Sequence, residues 1–273
     1  DMYKLEKINC SYSTSKRPVL EIDELIIKEN EIVFFVGPSG VGKSTILETL
    51  GLMNETVTAE SSTFKFSTDR IDLDMKEIWN EKESVLSDIR RDYFSFIFQD
   101  NNLFPSLSGM QNAITSSIIK GEDAKKATTE AVKAFDKLLN DLNIEKDFNI
   151  NLMSGGQKQR LSFIRAILSD YTVLFADEPT GNLDWLNAEI LMAFLIDNMK
   201  KGSSAIIVSH DIDLALWNGS ISKERIKEIM LAKNFILKDK FLDQDDQLTF
   251  TKTGGREVDF NFYEVLTNSN NEK

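Results

Sequence analysis

Cysteine and histidine are almost absent from this chain of 273 residues. Cys10 is the single cysteine and His210 the single histidine, so no internal disulfide can form. Two such residues are too few for the Cys/His cluster that a zinc site requires. We therefore expect a protein of the reducing cytoplasm, without a disulfide framework and without structural zinc.

Long apolar runs and an excess of basic residues are also missing. The longest apolar run ends at residue 196, directly before Asp197, and crossing a bilayer takes about 20 apolar residues. The chain carries 32 basic and 44 acidic residues, which gives a net charge of -12. An acidic surface repels a phosphate backbone, so the composition disfavours nucleic-acid binding. Any work at a membrane would need a second chain that spans it.

A phosphate-binding motif is the strongest feature that the sequence does contain. Residues 37–44 read GPSGVGKS and fit G-x-x-x-x-G-K-[ST] at every position. Residues 32–36 predict a buried strand before the motif, and residues 44–50 predict a helix after it. In that order, backbone N–H groups and the helix dipole cradle phosphates, Lys43 reaches the β- and γ-phosphates, and Ser44 offers a hydroxyl to Mg²⁺. The flanking strand and helix favour nucleotide binding over the alternative, a chance match in a glycine-containing loop.

Strands and helices alternate along most of the chain. Residues 3–36 predict antiparallel strands that lead into the phosphate loop, and residues 122–142 predict part of a helical insert. The other predicted strands are 93–98, 173–176 and 205–208, and the other predicted helices are 75–92, 157–168 and 186–199. Such alternation is typical of a mostly parallel sheet covered by helices. Beyond His210 we expect a helix over 221–231 and short strands at 235–237, 248–251 and 258–262, with Gly254 and Gly255 as a turn between the last two strands.

Two adjacent carboxylates, Asp177 and Glu178, follow the predicted strand at 173–176. An aspartate in this place can hold Mg²⁺, and the glutamate after it can orient and deprotonate an attacking water. An Asp-Glu pair after an apolar run is common on surfaces. The pair gains meaning because a phosphate loop lies in the same chain.

A second helix start shaped for an anion lies at residues 154–157, which read SGGQ. A single chain that holds one ATP does not need two such cradles. Two chains arranged head to tail do need them, because each cradle then closes over the ATP of the other. The alternative is an ordinary serine-capped helix, which would not explain the Gly-Gly-Gln sequence after the cap.

Together these motifs resemble the nucleotide-binding subunits of ABC (ATP-binding cassette) transporters, over residues 3–215. Residues 176–184 are similar to the lipoprotein-release, macrolide-export and cell-division group. The resemblance implies an α/β fold: a P-loop NTPase core with a mostly parallel sheet, an N-terminal antiparallel β-subdomain and an inserted helical subdomain. It implies one domain, with the core at 1–100 and 157–235, the helical subdomain at 101–156, and an extension of unknown role at 236–273.

The resemblance also implies roles for individual residues. Lys43, Gln99, Glu178 and His210 would be catalytic, with Glu178 activating water and His210 contacting the γ-phosphate. Mg²⁺ would be held by Ser44, Gln99 and Asp177. The implied ATP-binding residues are Tyr12, Gly37, Ser39, Gly40, Gly42, Lys43, Ser44, Thr45, Ser154, Gly155, Gly156, Gln157 and Asp184. Tyr12 would stack on adenine, although a surface turn tyrosine is the alternative, and a lone histidine is more often an ordinary surface or core residue.

The implied function is ATP binding and hydrolysis, with ATP and Mg²⁺ as cofactors, in a subunit that powers a separate transmembrane permease subunit through dimer closure. The expected partners are that permease and a second copy of the chain, with no nucleic acid and no direct membrane insertion. The expected location is the cytoplasmic face of the membrane. Two alternatives remain: a non-transport ABC ATPase that acts as a mechanical switch on a membrane protein, and a nucleotide-gated binding module with negligible turnover.

Overall fold

The structure is a computed structural model in which the chain divides into two compact units. The first comprises residues 1–86 and 204–273, and the second comprises residues 87–203. The residues that the structure describes are 1–13, 18–37, 40–58, 61–139, 148–181 and 183–209, together with the backbone of 226–232, 235–241, 250–252 and 256–258.

The first unit is built on a mixed sheet. Its strands are β1 (Tyr3–Cys10), β2 (Leu20–Ile27), β3 (Ile32–Val36), β4 (Thr63–Ser67), β5 (Asp72–Asp74), β8 (Ser204–Ser209), β9 (Ile226–Ala232), β10 (Phe235–Phe241), β11 (Phe250–Lys252) and β12 (Arg256–Val258), and its helix α1 is Lys43–Leu50. Neighbouring strands follow the order β5-β4-β1-β2-β10-β9-β3-β8, and β11 joins β10 to β12. β1 pairs antiparallel with β2 and β4, whereas β3 pairs parallel with β8 and β9.

Burial follows from this pairing. β1 buries alternate side chains over most of its length, as an antiparallel strand with one solvent face does. Every residue of β3 and of β8 is buried, which is typical of parallel strands covered on both faces. The hydroxyl of Tyr3 donates to the Leu50 carbonyl over 2.8 Å, so the first strand is tied to the end of α1.

The second unit combines helices with two parallel strands. It contains β6 (Phe94–Ile97), α3 (Gly109–Ile119), α4 (Ala124–Leu138), a 3₁₀ helix (Ile150–Leu152), α5 (Gly155–Leu168), β7 (Val173–Asp177) and α6 (Trp185–Asn198), and helix α2 (Glu83–Tyr93) contains the division between the units. β6 and β7 pair in parallel. α5 packs against α3, α4, α6 and β6, which makes it the central helix of this unit.

Two predictions of secondary structure were wrong. A helix was predicted over 221–231, but residues 226–232 form strand β9, and residues 221–225 lie outside the described residues. A short apolar run does not distinguish helix from strand by its period, and here pairing with β3 and β10 decides for strand. The single helix predicted over 75–92 is two helices, Glu77–Asn80 and Glu83–Tyr93, because Glu81 adopts an extended backbone between them.

In the ranges that the structure describes, none of the helices has the length and apolarity that crossing a bilayer demands. The described parts of the three strands predicted near the end of the chain lie in β10, β11 and β12, and residues 248–249 and 259–262 lie outside the described residues. Gly254 and Gly255, predicted to form the turn between the last two strands, lie outside the described residues.

Candidate active site

In the first unit, the phosphate loop lies between the end of β3 and the start of α1. Gly40 has φ 78° and Gly42 has φ 105°, a left-handed conformation in which a side chain would be strained. Gly42 is the N-cap residue of α1, and a glycine has no side chain with which to cap the first-turn N–H groups of the helix. The helix start is therefore suited to an anion. Pro38 and Ser39 lie outside the described residues.

The side chain of Lys43 folds over this loop. Lys43 is only 8% exposed, and its Nζ donates to the Gly37 carbonyl over 2.7 Å. A buried ammonium is costly unless it is hydrogen-bonded, so this contact fixes the positive charge at the loop. The next residue, Ser44, is exposed, whereas Thr45 is buried.

Tyr12 is anchored to helix α1. Its hydroxyl donates to Glu48 Oε2 over 2.7 Å and lies 3.1 Å from the Thr45 hydroxyl. Burial raises the pKa of Tyr12, and the neighbouring Glu48 carboxylate raises that pKa further. Asn54 also donates to Glu48. Tyr12 is thus a half-buried residue fixed to the helix that follows the phosphate loop, and its partner Glu48 is a residue that the sequence motifs did not point to.

In the second unit, β7 ends at Asp177, and Glu178 follows with φ 46°. A left-handed glutamate is strained by about 1–2 kcal/mol, and such strain persists only where neighbouring contacts hold it. Two contacts do so here. The Gly181 N–H donates to the Glu178 carbonyl over 3.2 Å, and the buried Gln159 amide donates to the Pro179 carbonyl over 2.6 Å.

The start of α5 explains part of the SGGQ sequence and leaves the glycines unexplained. Ser154 caps the helix, and its partner Gln157 closes a capping box, so both have a local role. Gly155 and Gly156 have no positive φ. A Cβ at Gly155 would meet nothing within 4 Å, and one at Gly156 would lie 3.7 Å from Leu183. Neither the backbone nor the packing of the described residues therefore requires a glycine at these positions.

Three further predicted residues are Gln99, Asp184 and His210. Gln99 is exposed and lies two residues after the end of β6. Asp184 caps α6 by accepting from the Asn187 N–H over 3.0 Å, and this bond holds the pKa of the Asp184 carboxyl below its usual range. His210, predicted to contact the γ-phosphate, lies outside the described residues.

The donor chemistry suits Mg²⁺. The predicted ligands are the hydroxyl of Ser44 in the first unit and the amide of Gln99 and carboxylate of Asp177 in the second. Mg²⁺ prefers oxygen ligands of these kinds and takes one or two protein ligands beside phosphates and water. Among the described residues, no group of three or more His, Cys, Asp or Glu side chains could hold a metal ion. Such a cluster is not needed by a metal held largely by phosphate.

Known proteins resemble the chain over most of its length. The profile of the family described as ABC transporter matches residues 20–181. The lipoprotein-releasing system ATP-binding protein LolD 1 of Rhodospirillum rubrum is 33% identical over 215 residues, which cover 78% of this chain and 90% of that protein. The macrolide export ATP-binding/permease protein MacB of Shigella flexneri is 31% identical over 268 residues, 97% of this chain and 40% of its own length.

A solved structure has the same fold. It is the dimeric structure of a post-hydrolysis state of the ATP-binding cassette MJ0796 bound to ADP and Pi, a protein from Methanocaldococcus jannaschii. The two structures match with a TM-score of 0.70 at 27% identity, over 89% of this chain and 100% of that one. The predicted α/β fold is thereby confirmed. With more than half of its residues matched by the family profile, the chain belongs to the ABC transporter family.

Proposed function

We propose that the chain is the ATP-binding and ATP-hydrolysing subunit of an ABC transporter and that it powers a transmembrane subunit through ATP-driven dimer closure. Its relative LolD 1 is an ATP-binding protein, and the MJ0796 structure is a post-hydrolysis state bound to ADP and Pi. The ATPase function predicted from the motifs is confirmed at the level of the family. The roles of single residues are proposals that rest on the resemblance of the motifs and, for the described residues, are supported by the geometry.

The phosphate loop carries the proposal. Lys43, held over the loop by its bond to Gly37, and the N–H groups at the start of α1 would neutralise the phosphates of ATP. Ser44 is exposed at the helix start, where its hydroxyl is free to approach a metal. Tyr12, fixed to the same helix through Glu48, would stack on adenine.

Hydrolysis would use the residues at the ends of β6 and β7. Gln99 and Asp177 would hold Mg²⁺, which when bound neutralises charge on the β- and γ-phosphates. Glu178 would orient and deprotonate the attacking water. Its left-handed backbone is held by the contacts at the Glu178 and Pro179 carbonyls, which supports one position for the residue. His210 would steady the γ-phosphate.

The glycines after Ser154 support the dimer. Since the described part of the chain does not need glycine at 155 or 156, their small size fits close approach by another molecule. We propose that this molecule is ATP, bound to the phosphate loop of a second copy of the chain. Asp184, at the start of α6, would lie near the same interface. The MJ0796 structure is dimeric, which supports the formation of a dimer.

The membrane partner is proposed from the relatives and from the surface. LolD 1 serves a lipoprotein-releasing system, and MacB is named as both ATP-binding protein and permease. Exposed apolar side chains in the second unit, Phe104, Ile119 and Leu152, are 47%, 62% and 87% exposed, which fits a docking surface for a partner. The subunit would then work on the cytoplasmic face of the membrane. The helical subdomain at 101–156 and the extension at 236–273 stay predictions.

Phosphate release from ATP tests the proposal. The wild-type chain is expected to hydrolyse Mg-ATP, and Glu178→Gln is expected to lower the rate by at least about 10²-fold, because water activation is lost. Glu81→Gln, which changes an exposed carboxylate without a proposed role, is the matched control. A wild-type rate near zero would favour the nucleotide-gated binding module instead.

Identifying the membrane protein that co-purifies with the chain separates a transporter from the mechanical switch. A partner without a substrate cavity would favour the mechanical switch.

A further inference from the structure

Gln99 lies in a short exposed segment that directly follows strand β6. Both Gln99 and Asp100 are exposed, and the chain leaves β6 only two residues earlier. An exposed side chain at a strand end can serve a ligand only if the segment that carries it has one conformation. What fixes the residues directly after Gln99 therefore matters for its proposed role.

Those residues form an unusual turn. Asn101 has φ 60° and Asn102 has φ 45°, so two consecutive non-glycine residues adopt the left-handed conformation. The Asn101 N–H donates to the Phe98 carbonyl over 3.1 Å, and the Asn102 N–H donates to the Asp100 carbonyl over 2.6 Å. Asparagine tolerates this region better than most residues, yet two in succession need support from outside the turn.

Arg165 on helix α5 supplies that support. Its Nη1 donates to the Asn102 carbonyl over 2.6 Å, and its Nη2 donates to the Asn101 carbonyl over 2.9 Å. The guanidinium carbon also lies 5.9 Å from the centre of the Phe104 ring. Arg165 is only 8% exposed. A planar guanidinium fork can bond two successive carbonyls at once, which a lysine ammonium on its flexible stem cannot do with the same geometry.

The N-cap residue of the same helix is Ser154, about three turns before Arg165. Helix α5 is well packed between these points, with Leu161 and Ile164 fully buried. We infer that Arg165 is a positioning residue, which holds the 101–102 turn against α5 so that Gln99 keeps one position relative to the Ser154 helix start. The inference rests on the proposed function of Gln99.

The test compares Arg165→Lys with Arg91→Lys, which changes an exposed guanidinium paired with Asp88 and Asp92. Hydrogen–deuterium exchange of nucleotide-free protein is expected to show faster exchange at residues 99–104 in Arg165→Lys and no change in Arg91→Lys. In Mg-ATP, Arg165→Lys is expected to lower kcat by about tenfold, with KM for ATP within about twofold of wild type.

A double variant separates positioning from general damage. If Arg165 acts through Gln99, the kcat of Gln99→Ala combined with Arg165→Lys matches that of Gln99→Ala alone, because the effects are not additive. Losses that multiply, or a folded Arg165→Lys with wild-type exchange at 99–104, would overturn the inference. The exchange measurement needs no ATPase activity. It therefore distinguishes a failure of Arg165 to hold the 101–102 turn from a failure of the proposed function.

Discussion

The hydroxyl of Tyr12 donates a 2.7 Å hydrogen bond to the carboxylate of Glu48, and this bond ties an aromatic ring to the helix that begins at Lys43. The ring of Tyr12 is therefore attached to helix α1, which directly follows the phosphate loop. Tyr12 was predicted from the resemblance to contact adenine, and its role stays a proposal. The anchor gives that proposal a physical form, since a fixed ring loses little freedom when a base stacks on it.

Substitutions at Tyr12 separate the ring from its anchor. Tyr12→Ala is expected to weaken ATP binding by about 1–3 kcal/mol, the usual contribution of an aromatic stacked on a base. Tyr12→Phe keeps the ring and loses the bond to Glu48, so a smaller loss is expected. Isothermal titration calorimetry with ATP measures both. Equal affinity for wild type and Tyr12→Ala would show that Tyr12 is an ordinary turn residue.

Lys43→Ala is expected to abolish detectable ATP binding, because the ammonium held at the loop is removed from the phosphates. Lys65→Ala, which removes an exposed lysine from β4 of the same unit, is the matched control. Calorimetry on both variants checks the prediction. Unchanged affinity in Lys43→Ala would contradict the assignment of the loop.

Gln159→Leu removes the buried amide that donates to the Pro179 carbonyl. The unpaired carbonyl is expected to cost about 1–3 kcal/mol in the free energy of unfolding. Glu178, whose backbone is strained, directly precedes Pro179. The kcat should therefore fall as well, while the KM for ATP should change little. Urea unfolding and steady-state kinetics measure these effects. Loss of stability with an unchanged kcat would show that this contact does not position Glu178.

Lys120 predicts a pH dependence of stability. Burial lowers the pKa of Lys120 from 10.5 to about 8, with Asp170, Lys200, Glu122 and Asp92 as the neighbouring charges. Between these two values the unfolded chain keeps a proton that the folded chain has lost. The contribution of Lys120 to the free energy of unfolding therefore rises with pH across this window.

Urea unfolding between pH 7 and pH 10 checks this sign. Between pH 8 and pH 10, Lys120→Met is expected to lower the slope of the free energy of unfolding against pH, and Lys125→Met, which changes an exposed lysine of α4, is expected to leave that slope unchanged. A slope in Lys120→Met equal to that of the wild type would assign the effect to other groups. The comparison uses slopes, because Lys120 also donates to the Phe94 and Asp170 carbonyls and its loss lowers stability at every pH.

Local pattern was sufficient for the elements around the phosphate loop. β3, the glycines and α1 are adjacent in sequence, so one motif with its flanking residues predicts all three. It was not sufficient for β9, because a short apolar run takes its structure from the strands beside it. Whether that segment forms a helix or a strand is decided by tertiary contacts.

Contacts across long separations in sequence explain what was missed at the site. Glu48, Gln159 and Arg165 lie in helices that the sequence predicts, but their partners are distant by 36, 20 and 63 residues. No spacing rule connects such residues. The left-handed backbone of Glu178 was also unpredicted, since that conformation is rare for glutamate and depends on the contacts that hold it.

The central claim is that each ATP site is completed by the Ser154 helix start of a second copy. Its most direct test is gel filtration with light scattering on Glu178→Gln, which is expected to bind ATP without hydrolysing it. A dimer is expected in Mg-ATP and a monomer in Mg-ADP. The double variant that also carries Gly155→Glu is expected to be a monomer in Mg-ATP, because a carboxylate at the helix start repels the γ-phosphate. A Glu178→Gln protein that stays monomeric in Mg-ATP, or a double variant that still dimerises, would contradict the claim.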